Sequence, residues 1–292
     1  MGTIWELDFY SRPILDENNK KVWEVAICES PLEIGRSPDS LFRYSQFCSN
    51  KTVNSLWLRE ALEKAMAEAP TPPKKVRFFR RSMKNMITKA CEDAGIAAVP
   101  SRRTYALNQW LAQRQEFYAQ QPGYDPTAAT AASVQYPTAN AVPLPDAIRG
   151  DKQDQWAFVS LEAAAFSEMP EWNIAFGEAF PLAMMGVTNE TRIPGLIIFS
   201  ARAIPLAGWM SGLEMGFMRL EGGSRPQVIL ETGDSDSWIL ASVTNAQTRA
   251  EAEGFERAKR GHGVHFLAVQ QSPNSEDFAG FWLLKGEGRD EC

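Results

Sequence analysis

From Thr3 to Tyr10 the chain alternates between apolar and polar residues. Trp5, Leu7 and Phe9 fall on one face of an extended strand, and Glu6, Asp8 and Tyr10 on the other. A second such run, Lys21–Glu29, follows across the polar turn Asp16–Lys20, which predicts a hairpin; a third strand is predicted near Leu41–Cys48. The period then changes. Val53, Leu56, Trp57, Ala61, Leu62, Ala65 and Met66 form a helical stripe, with Thr52 as its expected cap and Pro70, Pro72 and Pro73 as its stop. Val76–Phe79 reads as a short strand. Ser82 caps a helix bearing Met83, Met86, Ile87 and Ala90 and ending at Gly95, Ile96–Val99 is another strand, and Thr104 caps a helix bearing Leu107, Trp110, Leu111 and Phe117. Three strands followed by helix, strand, helix, strand, helix is the element order of a ribonuclease-H-like domain, which predicts a fold and no activity.

Residues 119–150 break the pattern with Pro122, Pro126, Pro137, Pro143 and Pro145 among Ala, Thr, Gln and Gly, and read as a linker. Beyond it, strands are predicted at Gln155–Leu161, Gly195–Ser200, Phe217–Glu221, Gln227–Glu231, Trp238–Val243, Val264–Val269 and Phe278–Leu284, with a helix from Asn245 to Arg260 stopped by Gly261. The expected organisation is α/β and α+β. It comprises an N-terminal ribonuclease-H-like mixed sheet with flanking helices (1–118), a Pro/Ala-rich linker (119–150) and a C-terminal α+β mixed sheet (151–292). The second half shares a partial element order with restriction-nuclease-like cores. It lacks the metal-binding Asp and Glu-x-Lys of those enzymes, with Trp238-Ile-Leu-Ala-Ser242 in the corresponding strand.

Bulk composition narrows the class. A hydrophobic content of 44% supports folded cores. The most apolar region, 174–220, is broken by Glu178, Glu190, Arg192, Arg202 and Glu214, so no membrane span of roughly 18 residues is expected. The opening strand is preceded by no basic-then-apolar or Arg/Ser-rich segment, which makes the cytoplasm the expected compartment. Cys28, Cys48, Cys91 and Cys292 have no CxxC spacing and read as reduced thiols, without a zinc site. The net charge of −6 conceals an asymmetry: residues 1–119 hold 18 Lys/Arg against 14 Asp/Glu, and residues 120–292 hold 12 against 22.

The basic excess concentrates in residues 74–103. Lys74, Lys75, Arg77, Arg80, Arg81, Lys84, Lys89, Arg102 and Arg103 face only Glu92 and Asp93, with Phe78 and Phe79 among them. Such cations can neutralise phosphates and exposed aromatics can stack unpaired bases. The competing reading is a solvated helix face with Phe78 and Phe79 in the core, since strand alternation would bury at least one of the two. Asp8 sits where a ribonuclease-H-like enzyme carries its first metal ligand, and Glu60, Glu63 and Glu116 are the available companions. Where a further Asp is needed the chain reads Arg80-Arg81-Ser82, so a salt bridge from Asp8 to Arg12 or to a cluster cation is the expected arrangement. His262 and His265 lack a third ligand and a nucleophile elbow, which favours a structural role. No nucleotide-binding glycine motif is present, and no cofactor is expected. The strand containing Phe281-Trp282-Leu283-Leu284 reads as a core strand or, alternatively, as a partner-binding edge.

The opening Trp5-Glu-Leu-Asp-Phe-Tyr-Ser-Arg-Pro13, the following Ile14-Leu-Asp16, Lys21-Val-Trp-Glu24 and the near-terminal Trp282-Leu283-Leu284 resemble a known family. These are the A/U-rich-RNA-binding translation factors of chloroplasts, with cyanobacterial members, required for synthesis of photosystem I reaction-centre subunits. The resemblance implies a non-enzymatic protein that binds single-stranded A/U-rich RNA and acts in translation and photosystem biogenesis. It also implies translation or assembly proteins as partners, and a functional role for Trp282, Leu283 and Leu284. Without a transit peptide the chain looks like a cyanobacterial member. The alternatives are a protein-binding assembly scaffold and a degenerate metal-dependent nuclease.

Overall fold

A computed structural model describes residues 2–129, 140–150 and 154–286. These form two compact units, the first from residues 2–30 and 38–129, the second from 31–37, 140–150 and 154–286. Both are mixed α/β, as the periodicity predicts.

The first unit is built on β1 (Ile4–Leu15), β2 (Lys21–Glu29), β3 (Arg43–Cys48), α1 (Ser55–Glu68), β4 (Lys75–Phe78), α2 (Lys84–Asp93), β5 (Ala97–Pro100) and α3 (Tyr105–Ala119). Its five strands lie in the order β3-β2-β1-β4-β5; the first three are antiparallel, and β4 and β5 run parallel to β1. Asp16 closes the hairpin by accepting hydrogen bonds from the backbone N–H groups of Asn18 and Lys20 at 2.9 Å. One sheet face, carrying Trp5, Leu7, Phe9, Val25 and Ile27, packs against α1 and α2 in a continuous apolar core. The other lies under α3. The end of β1 is irregular near Pro13, which lacks an N–H, and there Leu15 N–H bonds Gly123 O at 2.8 Å. Gly123 has φ +80°, and a Cβ on it would meet the Leu15 carbonyl oxygen at 2.2 Å, so the contact requires glycine.

Helix starts differ from expectation in detail. Asn54, not Thr52, caps α1 by accepting from Trp57 N–H at 2.9 Å. A 3-10 turn over Arg81–Met83 leads into α2, and Ser82 lies within it. Thr104 occupies the cap position of α3 but makes no capping bond; the buried Glu6 carboxylate accepts from Leu107 N–H at 2.8 Å instead. A carboxylate at a helix N-terminus satisfies an orphan donor and complements the helix dipole.

The second unit has two sheets where one was expected. Its elements are β6 (Val142–Pro143), β7 (Gln155–Glu162), β8 (Ile174–Glu178), β9 (Arg192–Phe199), α4 (Ala203–Ser211), β10 (Met215–Glu221), β11 (Gln227–Thr232), β12 (Asp236–Ser242), α5 (Ala246–Ala258), β13 (Val264–Gln270) and β14 (Phe278–Lys285). They form one sheet ordered β10-β11-β12-β6 and another ordered β7-β9-β13-β14-β8. Leu196, Leu206, Met210, Met218, Leu230, Leu267, Trp282 and Leu284 belong to one core shared by both sheets. Of the segment read as a linker, 130–139 lies outside the described residues, 119–129 belongs to the first unit, and Val142–Pro143 pairs with β12. Cys28, Cys48 and Cys91 are free and buried, and burial pushes the Cys28 and Cys91 thiols up to about 12. Cys292 lies outside the described residues.

Candidate nucleic-acid interface

The polar face of β1 is a buried ionic chain. Asp8 is fully buried and accepts from Arg12 Nη1 at 2.9 Å and Arg80 Nη2 at 3.3 Å, with a closer ion pair to Arg80 Nε. Arg12 Nε donates to Glu24 on β2 at 2.7 Å. Glu24 also pairs with Arg114 and accepts from the Tyr118 hydroxyl at 2.5 Å, both on α3. Burial disfavours the Arg12 cation, but Asp8, Tyr118 and Glu24 more than offset this and raise its pKa above the ordinary value. Burial holds the Tyr118 hydroxyl protonated by raising its pKa. The chain therefore runs Arg80, Asp8, Arg12, Glu24, Arg114 across the sheet. Asp8 was expected to pair with Arg12 or with a cluster cation, and it pairs with both Arg12 and Arg80.

The other candidate carboxylates do not converge on Asp8. Glu60 and Glu63 are exposed on α1, across the sheet, with Glu63 paired to Arg59 at 3.4 Å, and Glu116 is exposed on α3. Among the described residues no group of three or more His, Cys, Asp or Glu side chains is placed to hold a metal ion.

The basic segment divides by depth. Lys74, Arg81 and Lys84 are exposed, Lys75 and Arg102 are half-buried, and Lys89 is exposed beside Asp93 at 2.6 Å. Arg77 and Arg103 are only 2% and 3% exposed, which removes their side chains from any RNA-facing surface. Arg77 Nη1 instead reaches Ser30 Oγ at 3.4 Å, and that hydroxyl donates to Glu6 at 2.8 Å. Arg80 is committed to Asp8, with its guanidinium 3.9 Å from the Tyr10 ring centre. Phe78 and Phe79 are both buried, so neither offers a ring to a base. Among the described residues of this unit the exposed aromatic side chain is Phe117 on α3, beside Arg114.

Sequence comparison decides the family. A model of the N-terminal part of the RNA-binding protein Tab2/Atab2 matches residues 4–114, and one of its C-terminal domain matches residues 131–285. The chain belongs to the Tab2/Atab2 family of RNA-binding proteins. Relatives include Protein TAB2 homolog, chloroplastic, of Zea mays, 39% identical in a 289-residue alignment that covers 96% of this chain and 70% of that protein. The protein of the same name from Arabidopsis thaliana is 37% identical in a 289-residue alignment that covers 96% of this chain and 74% of its own length.

The C-terminal Tab2 domain accounts for the remaining candidates structurally. β14 lies between β13 and β8, and Trp282, Leu283 and Leu284 are buried in it; all three pair with β13, and the register with β8 runs from Phe278 to Trp282. His265 is fully buried, with Nε2 accepting from Met218 N–H at 2.8 Å and Nδ1 at 2.9 Å from Gly263 O. That pattern assigns a neutral ring protonated on Nδ1, bridging β13 to β10 of the other sheet. Burial, then the nearby Lys259 charge, lowers its pKa well below 6.5. The unfolded chain therefore takes up a proton first as pH falls through 6.5, and the stability supplied by the neutral ring is lost below that point. Urea unfolding at about pH 7.5 and about pH 5.5 should show a loss approaching about 1.4 kcal/mol per pH unit below the midpoint of free histidine. His265→Gln should remove that share of the slope. Equal slopes in both proteins would contradict the assignment.

No helix among the described residues is long and apolar enough to cross a membrane.

Proposed function

We propose that this chain is a non-catalytic RNA-binding factor that takes single-stranded A/U-rich RNA and acts in translation of photosystem I messages and in photosystem biogenesis. Translation or photosystem-assembly proteins would be its partners. We place it in the cytoplasm, as expected of a cyanobacterial member. Membership of an RNA-binding family across both units carries this reading. The exposed cations Lys74, Arg81 and Lys84, with half-buried Lys75 and Arg102, supply the phosphate-facing charge. The strand order β3-β2-β1-β4-β5 supports a ribonuclease-H-like ancestry for the first unit. A nuclease of that kind needs Asp8 open to a metal, whereas here Arg12 and Arg80 occupy it. We read Trp282, Leu283 and Leu284 as holding the fold of the C-terminal unit.

Titrating an A/U-rich leader RNA by gel shift at several salt concentrations tests the reading. Binding should weaken as salt rises. Changing Lys74, Arg81 and Lys84 together to Gln should weaken it further and flatten the log–log salt slope by roughly 2, at about 0.7 per phosphate contact on a single strand. Unchanged affinity and slope would remove the basic segment from the interface.

A further inference from the structure

The surface of α3 carries chemistry that the basic segment lacks. Trp110, Arg114 and Phe117 follow at spacings of four and three residues and so share one helix face. The Arg114 guanidinium lies 5.0 Å from the Trp110 ring centre and 4.7 Å from that of Phe117. The edge strand β3 extends the row: the Arg43 guanidinium is 5.7 Å from Trp110, and the Phe47 ring stacks on Phe117 at 6.4 Å and 22°. Guanidinium groups and rings thus alternate along one border of the sheet, with the Arg114 side chain, 11% exposed, backing the rings of Trp110 and Phe117. Phe117 remains 41% exposed despite these contacts.

We infer that this strip is where bases of single-stranded RNA stack, while the basic segment takes phosphates. The inference rests on the RNA-binding reading and sharpens it. Stacking on aromatic side chains, helped by adjacent guanidinium groups, is the sequence-tolerant way to hold unpaired bases. The neighbours suit that ligand. Gln113 and Gln120, four residues before and three after Phe117, are exposed amides able to meet base edges, and Glu116 is the one acid of α3. Aromatic and guanidinium side chains also mark protein interfaces, so the choice of a nucleic acid rests on membership of the RNA-binding family. The strip is also preorganised. Glu24 and Tyr118 hold Arg114, and the buried ionic chain ties it to Arg80 within the basic segment. The strip and the exposed cations of the basic segment both belong to the first unit.

The test uses the full chain and a short fluorescent single-stranded A/U RNA, read by anisotropy. Phe117→Ala should weaken binding roughly tenfold or more while leaving the salt slope unchanged, because it removes stacking and no charge. Phe117→Tyr should retain affinity, and Phe117→Leu, which preserves packing on Phe47, should lose it. RNA carrying bromouridine should photocrosslink within α3. Full-strength binding by both Phe117→Ala and Phe117→Leu, or crosslinks confined to other elements, overturns the strip and leaves the RNA-binding reading in place. Failure of the unaltered protein to bind any single-stranded RNA overturns both.

Discussion

Arg12→Met is expected to cost the first unit about 3–5 kcal/mol, far more than loss of a surface ion pair. Arg12 bridges two fully buried carboxylates, with Asp8 at 2.9 Å and Glu24 at 2.7 Å. A methionine fills much of the space but leaves both acids short of a cation in a low-dielectric site. The loss stays finite because Asp8 keeps Arg80, and Glu24 keeps Arg114 and Tyr118. Arg12→Lys should fall between the two, since one ammonium cannot reproduce a fork whose Nε and Nη1 serve different partners. Combining Arg12→Met with Asp8→Asn should cost less than the sum, because the double variant no longer buries the Asp8 charge. Hydrogen exchange at β1 and α3 amides across a urea series in the full chain would measure this. A loss below about 1 kcal/mol, the scale of exposed pairs, would show the network to be solvated.

The same network explains which parts of the molecule were legible from residue order. β1, β2, α1 and the helix from Asn245 announced themselves because apolar residues repeat at the period of the element, and Asn245 closes a capping box with Thr248. The pairing of Asp8 was readable because Arg-Arg stands where another acid would be needed. Depth was not readable for the cations. Arg77 lies on a strand whose two faces are both covered, so charge carried no information about exposure. Strand alternation required at least one of Phe78 and Phe79 to be buried, and the chain leaves β4 after Phe78 with both in the core. Phe117 was hidden for the opposite reason: it fits a helical apolar stripe that the fold leaves at the sheet border. α4 was missed because Pro205 and Gly208 look like breakers, yet Pro205 falls in the first turn, where no intrahelical N–H bond is lost.

Trp282→Ala is expected to cost about 3–5 kcal/mol in the second unit, the range for emptying a buried aromatic site. Trp282 is 3% exposed and enters the core shared by the two sheets, so its loss opens a cavity where they meet. Its ring lies over Gly280, where an added Cβ would come within 2.2 Å of ring carbon Cη2. Gly280→Ala should therefore destabilise the same strand from below, and Trp282→Phe should cost less than Trp282→Ala because most of the volume remains. The three variants separate a structural role for the Trp-Leu-Leu sequence from a recognition role. If the sequence holds the fold, any functional loss should track the unfolded fraction, measured by urea melts and limited proteolysis, in the order Ala at 282, then Phe. A Trp282→Ala protein that melts like the unaltered chain yet has lost a partner would mean the strand is read by another molecule. With all three side chains buried, that would require β14 to be uncovered first.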